Sequence, residues 1–543
     1  MQTQDLSYVL NNETVLANLK SHKNIKVSLE TFSLENVYTV PCGSYVKKGN
    51  TYRSNTLVWG DEEKVDGASA TLKLKTNKDV MVIDGSAKLN QKIRSIKIRL
   101  DNLPLGKLIS VSSKPREVTE YGMNIRYPEG WRDLSHPLLV FELANNEYLY
   151  IRCIDKTVCR KDFFVKKVGD LMRVDVVQEQ IGSDLHNRFT IPTVEVGFTK
   201  DKEEIYLKQK EYIQKTFDVV PFEQSNIVPS WLAKISLVVI MHMESFTGHI
   251  FHTYQQAYED IKKLTEMLPG ERILVYFPGW EGRYYYKYGN YCPDERLGGE
   301  QGLKDCISKI KKLGCKTISM VGMNLANKNA PQVKGIYKDA EFQSVSGAKY
   351  HNGSVDWEGA HHYDFNELVN LNIANKKWAD VLFNQVKDIS LKYGFDGVFL
   401  DIAACYVNDK KHELYKGVCE FCDRLRTIKP DFLVSGEGFY DGLLKAIPLY
   451  QSGATDGSMN YHDTLHDAVF TDFAREFSHL CLGDPSRGSS GVHELGTNTE
   501  WKTPYRKGLI PTLSLVENTL EAAPERVKEI IDAAIRYSKE FAK

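Results

Sequence analysis

The sequence has almost no net charge and no long apolar run, and each absence narrows what the chain can do. Its 70 lysines and arginines are offset by 71 aspartates and glutamates, for a formal net charge of −1. No basic excess draws it onto nucleic acid or an anionic membrane surface. No stretch approaches the roughly 18 apolar residues a membrane span needs, and Met1-Gln-Thr-Gln-Asp-Leu6 lacks the basic and apolar regions of a secretory leader. Internal repeats and low-complexity segments are missing too. The 10 cysteines follow no framework spacing and read as free thiols of a reducing compartment. The expectation is a cytoplasmic protein, or an exported one if a leader has been removed, with neither nucleic acid nor membrane as partner. The oligomeric state stays open.

What is present is the composition of an ordinary soluble protein, 42% hydrophobic and 26% charged. At 543 residues the chain exceeds one typical core, which predicts two or more domains. Residues 1–200 alternate apolar and polar positions between turn residues, as in Tyr148–Ile154, Leu171–Val177 and Phe189–Val196, the pattern of antiparallel strands. Lys202 to Phe217 switches to helical spacing, and Pro221 and Pro229 follow. From Ala233 strands alternate with helices. Strands are expected at Ile235–Met241, Ile273–Phe277, Thr317–Val321, Val398–Leu400, Phe432–Ser435, Ile447–Tyr450, His479–Leu482 and Ile510–Leu515. Helices are expected near 252–268, 300–313 and 372–393, with Pro524–Phe541 closing the chain and 324–366 as a long loop over the active face. The predicted architecture is all-β followed by α/β: a β-sandwich over 1–200, a helical linker over 201–230 and a (β/α)8 TIM barrel over 231–543.

Two carboxylates stand out. Gly394-Phe-Asp-Gly-Val-Phe-Leu-Asp401 and Leu433-Val-Ser-Gly-Glu437 each end a short apolar run on an acid, 36 positions apart (437 − 401), with a helical pattern between them. Strand, helix and strand would place both acids on one rim of a parallel barrel, where such barrels keep their active sites. Glycosidic cleavage with retained stereochemistry needs one carboxylate to attack the anomeric carbon. A second must protonate the leaving oxygen and then activate water, with the two carboxyls about 5–5.5 Å apart. Asp401 fits the nucleophile and Glu437, on the longer side chain, the acid/base. The plainer reading makes Asp401 a helix cap and Glu437 a loop residue.

With a second segment, Phe277-Pro-Gly-Trp-Glu-Gly-Arg283 continuing to Tyr291-Cys-Pro-Asp-Glu-Arg-Leu-Gly-Gly-Glu300, the chain resembles the retaining α-glycosidases related to α-amylases. It more closely resembles the endo-α-N-acetylgalactosaminidases and their bacterial relatives, over roughly residues 225–520. The resemblance implies a nucleophile at Asp401 and an acid/base at Glu437, and it leaves the sugar open.

Around this pair, Trp280 and the tyrosines 284, 285, 286, 288 and 291 offer rings on which a pyranose face can stack, though the same rings can serve to pack the loop. Arg283 and Asn324 are candidate hydroxyl ligands, with a loop salt bridge as the alternative for Arg283. Asp484, in Leu482-Gly-Asp-Pro485, is the candidate third carboxylate, against an ordinary turn; Asp456 and Asp463 are the fallbacks. His462-Asp-Thr-Leu-His466 has zinc-peptidase spacing but lacks the general-base Glu, Cys419-Glu-Phe-Cys422 has no second pair, and Gly298–Gly302 lacks the lysine of a phosphate loop. Together these point to a retaining α-glycoside hydrolase acting on a carbohydrate, with no metal and no organic cofactor. The alternatives are a transglycosidase using the same acids and a non-catalytic carbohydrate-binding protein.

Overall fold

The computed structural model describes residues 12–60, 63–110, 115–129, 133–245, 248–282, 286–349, 367–452, 471–478 and 508–542. Alternation builds the N-terminal sheets: every second residue of Val80–Lys88, beginning with Met81, is buried. One antiparallel sheet has Lys161–Val168, Leu171–Glu179, Ser95–Pro104 and Ile25–Phe32 as successive neighbours. The other runs through Leu138–Glu142, Tyr148–Ile154, Thr193–Thr199, Val80–Lys88 and Ser69–Asn77. The two pack face to face, because the space beside Gly85 of the second sheet is filled by Leu29 and Ile98 of the first. Helix α1 (Lys202–Phe217) follows. Asp201 caps its start by accepting from the Glu203 N–H, and it buries Ile205, Tyr212, Ile213 and Phe217.

The rest forms one parallel sheet. Its strands are β1 (Leu237–Met241), β2 (Ile273–Phe277), β3 (Lys316–Gly322), β4 (Gly397–Asp401), β5 (Leu433–Glu437), β6 (Leu449–Ser452), β7 (Arg475–Ser478), β8 (Leu509–Ile510) and β9 (Thr512–Leu515). β1, β2 and β4 are buried along their whole length, as strands covered on both faces must be. Helices α2 (Tyr254–Thr265), α3 (Gly299–Lys312), α4 (Lys376–Tyr393) and α5 (Leu414–Arg426) lie between strands, and α6 (Pro524–Glu540) follows the last. Their limits are chemical: Thr253 and Gln256 form a capping box on α2, and α4 starts at an Asn375 cap and stops at left-handed Gly394. The strand order is β8-β7-β6-β5-β4-β3-β2-β1-β9. The two end segments flank Pro511, whose carbonyl accepts from Val238 N–H of β1 at 3.0 Å. One stretch of chain therefore meets β7 and β1, and the sheet returns on itself as a TIM-like barrel.

The strand expected at His479–Leu482 lies outside the described residues; the position between β6 and β8 is held by Arg475–Ser478. Its single large apolar residue, Phe477, hid this strand behind the more apolar run that follows. The expected long loop also carries structure, since Leu325–Asn327 pairs antiparallel with Leu368–Asn370.

The antiparallel half braces the loops that follow β4 and β5. Asn408 Nδ2 donates to Glu179 Oε2 and to the Gln180 carbonyl, both at 2.8 Å, and Asn408 Oδ1 accepts from Gly182 N–H at 2.7 Å. Tyr127 Oη donates to Asp441 Oδ1 at 2.6 Å, four residues past the end of β5. Burial pushes the Asp441 carboxyl up to about 7.

Candidate active site

The barrel interior can be identified from its rings. Tyr276 of β2 and Phe399 of β4 lie 4.4 Å apart, and Phe477 of β7 is 6.2 Å from each. Strands that far apart in the sheet meet only across the interior, so all three rings point inward and floor the barrel. Asp401 is two residues beyond Phe399 on the same face. Glu437 is in register with Gln451, and Gln451 with Phe477, so these also face inward. Asp401 and Glu437 thus end adjacent strands on one inner rim, with Gln451 one residue before the end of the next.

Asp401 is 4% exposed, and Tyr288 Oη donates to its Oδ2 at 2.7 Å. The tyrosine reaches over the end of β3 because Gly322 has no side chain: a Cβ there would lie 2.2 Å from the Tyr288 ring. Glu437 is half-buried, and its Oε2 accepts from the backbone N–H of Ile402 at 3.0 Å. Ile402 has φ +60°, a left-handed conformation that a β-branched residue adopts only under constraint. Its carbonyl accepts from Asn324 Nδ2 and from Cys405 N–H, both at 3.2 Å, while the Asp401 carbonyl accepts from Met323 N–H at 3.2 Å. The strained turn ties the two carboxylates together through one residue.

The other expected residues divide. Asn324 is fully buried beside this turn, with Nδ2 spent on Ile402 and Oδ1 without a hydrogen-bond partner. Trp280 is corrected. It is 0% exposed, its indole N–H donates to the Met320 carbonyl at 3.0 Å, and its ring packs on Tyr291 and Phe395, so no face is left for a sugar. Tyr288 and Tyr291 are likewise inner supports and not platforms: Tyr291 Oη accepts from Gly322 N–H at 2.7 Å. Arg283, Tyr284, Tyr285, Asp456, Asp463, Asp484 and the His462–His466 pair lie outside the described residues. Among the described residues no group of three or more His, Cys, Asp or Glu could hold a metal ion. Cys419 and Cys422 are free thiols on α5, raised by burial to about 11 and about 12. Gly298 and Gly299, both at positive φ, make the turn into α3.

The hold of Tyr288 on Asp401 was not legible in the sequence, where the ring offers a stacking surface or loop packing and nothing marks a partner 113 residues away. Tyr288→Phe should fold normally and lower kcat/KM about tenfold to a hundredfold, the scale of one hydrogen bond to a charged group. Steady-state kinetics beside a melting curve checks this, and unchanged kinetics would reduce the contact to packing. Glu281, after β2, was also overlooked. It is 1% exposed, neither carboxyl oxygen has a partner, and burial pushes it from 4.5 up to about 8, with nearby Glu244 adding to the rise. A raised folded-state value means its contribution is intact below about pH 4.5 and is lost as pH climbs to about 8. Wild type should therefore weaken relative to Glu281→Gln by about 1.4 kcal/mol per pH unit over that window. Denaturation of both proteins at pH 4 and pH 8 tests it, and a pH-independent difference would contradict it.

Neither the family models nor the curated proteins give a match. Solved structures do. The α-N-acetylgalactosaminidase NagBb from Bifidobacterium bifidum, in complex with GalNAc, is similar at TM-score 0.61 and 13% identity, covering 86% of this chain and 83% of that one. The galactosidase domain of the α-galactosidase–sucrose kinase AgaSK is similar at TM-score 0.55 and 14% identity, covering 98% and 74%. The GH36 α-galactosidase AgaA from Geobacillus stearothermophilus, in complex with raffinose, is similar at TM-score 0.53 and 11% identity, covering 96% and 74%. At these identities the shared feature is the fold: antiparallel sheets followed by a parallel barrel.

Proposed function

We propose that this chain is a retaining α-glycoside hydrolase of the α-galactoside or α-N-acetylgalactosaminide type, with Asp401 as nucleophile and Glu437 as acid/base. The observation that carries the reading is the inward row on the rim, where two carboxylates end neighbouring parallel strands and are joined through the Ile402 N–H. Attack by Asp401 on the anomeric carbon, with proton donation by Glu437 to the departing oxygen, would give a glycosyl-enzyme ester. Water deprotonated by Glu437 would then release the sugar with its original anomeric configuration. The names of the similar structures, α-galactosidases and an α-N-acetylgalactosaminidase, support the choice of sugar class.

The reading includes a (β/α)8 barrel over 231–543, counting the segments on either side of Pro511 as one strand, after a β-sandwich over 1–200 and a linker over 201–230. Arg283 as a hydroxyl ligand and Asp484 as a third carboxylate belong to the same proposal. Among the described residues no helix is long and apolar enough to cross a membrane. A cytoplasmic location, or export if a leader has been removed, belongs to the same proposal. Purified protein should hydrolyse an aryl α-galactoside or aryl α-N-acetylgalactosaminide, and NMR of the first-formed sugar should show the α anomer. A first-formed β anomer would make the enzyme inverting, and failure to cleave any aryl α-glycoside would leave only carbohydrate binding.

A further inference from the structure

Gln451 sits on β6 in register with Glu437 of β5, one strand further from Asp401, and in register with Phe477 on its other side. The Phe477 ring meets Phe399 across the barrel, so the Gln451 side chain enters the same interior, above the aromatic floor. It is 2% exposed, yet neither its Oε1 nor its Nε2 has a hydrogen-bond partner. Its backbone is satisfied, with the carbonyl accepting from Gly438 N–H at 2.9 Å. A buried donor and acceptor left unpaired oppose folding, and a leucine or methionine of similar size would avoid the penalty. An amide offers an acceptor and a donor side by side, the complement of two adjacent hydroxyls on a neutral pyranose.

We propose that Gln451 binds substrate directly, its amide bridging neighbouring ring hydroxyls of the sugar held between Asp401 and Glu437. The assignment rests on the glycosidase reading above and goes beyond it by naming a specificity residue. A site built to pair with a hydroxyl discriminates strongly once the pairing is gone, because the partner groups then stay buried and unsatisfied. Gln209 supplies a control. It lies on α1 and is 0% exposed, and its amide is equally without partners, but α1 is not a barrel strand and packs against Tyr148–Ile154 and Asp441–Lys445.

The test compares wild type, Gln451→Leu, Gln451→Met and Gln209→Leu. The measurements are kinetics on the aryl α-glycoside that wild type cleaves best, and melting with and without free galactose or N-acetylgalactosamine. The expected result is that both Gln451 variants melt at or above wild type, lose about tenfold or more in kcat/KM chiefly through a higher KM, and lose the sugar-induced rise in Tm. Gln209→Leu should melt at or above wild type with wild-type kinetics. An active wild type whose Gln451 variants keep kcat/KM within about twofold would overturn the assignment alone. So would Gln451 variants that lose Tm and activity together, which marks a structural role. A wild type with neither turnover nor a sugar-induced shift would overturn the glycosidase reading, and this assignment with it.

Discussion

Asp401→Asn and Asp401→Ala should each lower kcat/KM by about a thousandfold or more, a loss of about 4 kcal/mol of transition-state stabilisation, with the fold intact. The asparagine keeps an acceptor for Tyr288 Oη, which lies 2.7 Å from Asp401 Oδ2, and so preserves the local hydrogen bond while removing the proposed nucleophile. The alanine leaves the Tyr288 hydroxyl without its carboxylate partner, which costs about 1–3 kcal/mol of stability, too little to unfold most chains. The alanine variant also carries a chemical signature. With the nucleophile gone, azide can attack the anomeric carbon from the vacated side as the aryl group leaves, giving a glycosyl azide of inverted configuration. Circular dichroism, melting and product NMR together separate lost chemistry from lost structure. Wild-type turnover in either variant would remove Asp401 from the role.

Glu437→Gln should show a loss that depends on the leaving group. Aryl glycosides whose phenol departs readily need little protonation and should keep much of their glycosylation rate, whereas poor leaving groups should lose about a hundredfold or more, the usual worth of general acid catalysis. Deglycosylation is slowed for every substrate because no base activates water. Azide, which needs no base, should raise turnover and give a product of retained configuration. The opposite stereochemistry of the azide products from the two variants distinguishes their roles. Equal losses on good and poor leaving groups, without azide rescue, would place the acid/base elsewhere on the rim. Glu437 also accepts the Ile402 N–H, and the Gln carbonyl can keep that bond, so stability should change little.

The barrel strands were legible because each strand of a parallel sheet covered on both faces is a short apolar run, and the helices before β2 and β4 start at side-chain caps, Thr253 and Asn375. β2 is the clearest case, with Ile273–Phe277 found as expected. The strand at Arg475–Ser478 was not legible because it buries Phe477 between polar residues, and burial imposed by neighbouring strands leaves no such run to find. Trp280 was misread for a related reason. A tryptophan after a strand is equally compatible with an exposed platform and with a core ring, and here packing against Tyr291 and Phe395 makes it the latter.

By itself the sequence determined the order of elements, the two acids at the ends of consecutive apolar strands, and the change from alternating to helix-and-strand patterning, because all of these are local and periodic. Only the tertiary structure decided which groups meet. Tyr288 reaches Asp401 across 113 residues of sequence, Asn324 reaches the Ile402 carbonyl across 78, and Gln451 stands beside Glu437 because two strands happen to be in register. Contacts of that range depend on barrel closure and on the register between strands, and neither leaves a period in the chain that could be read in advance.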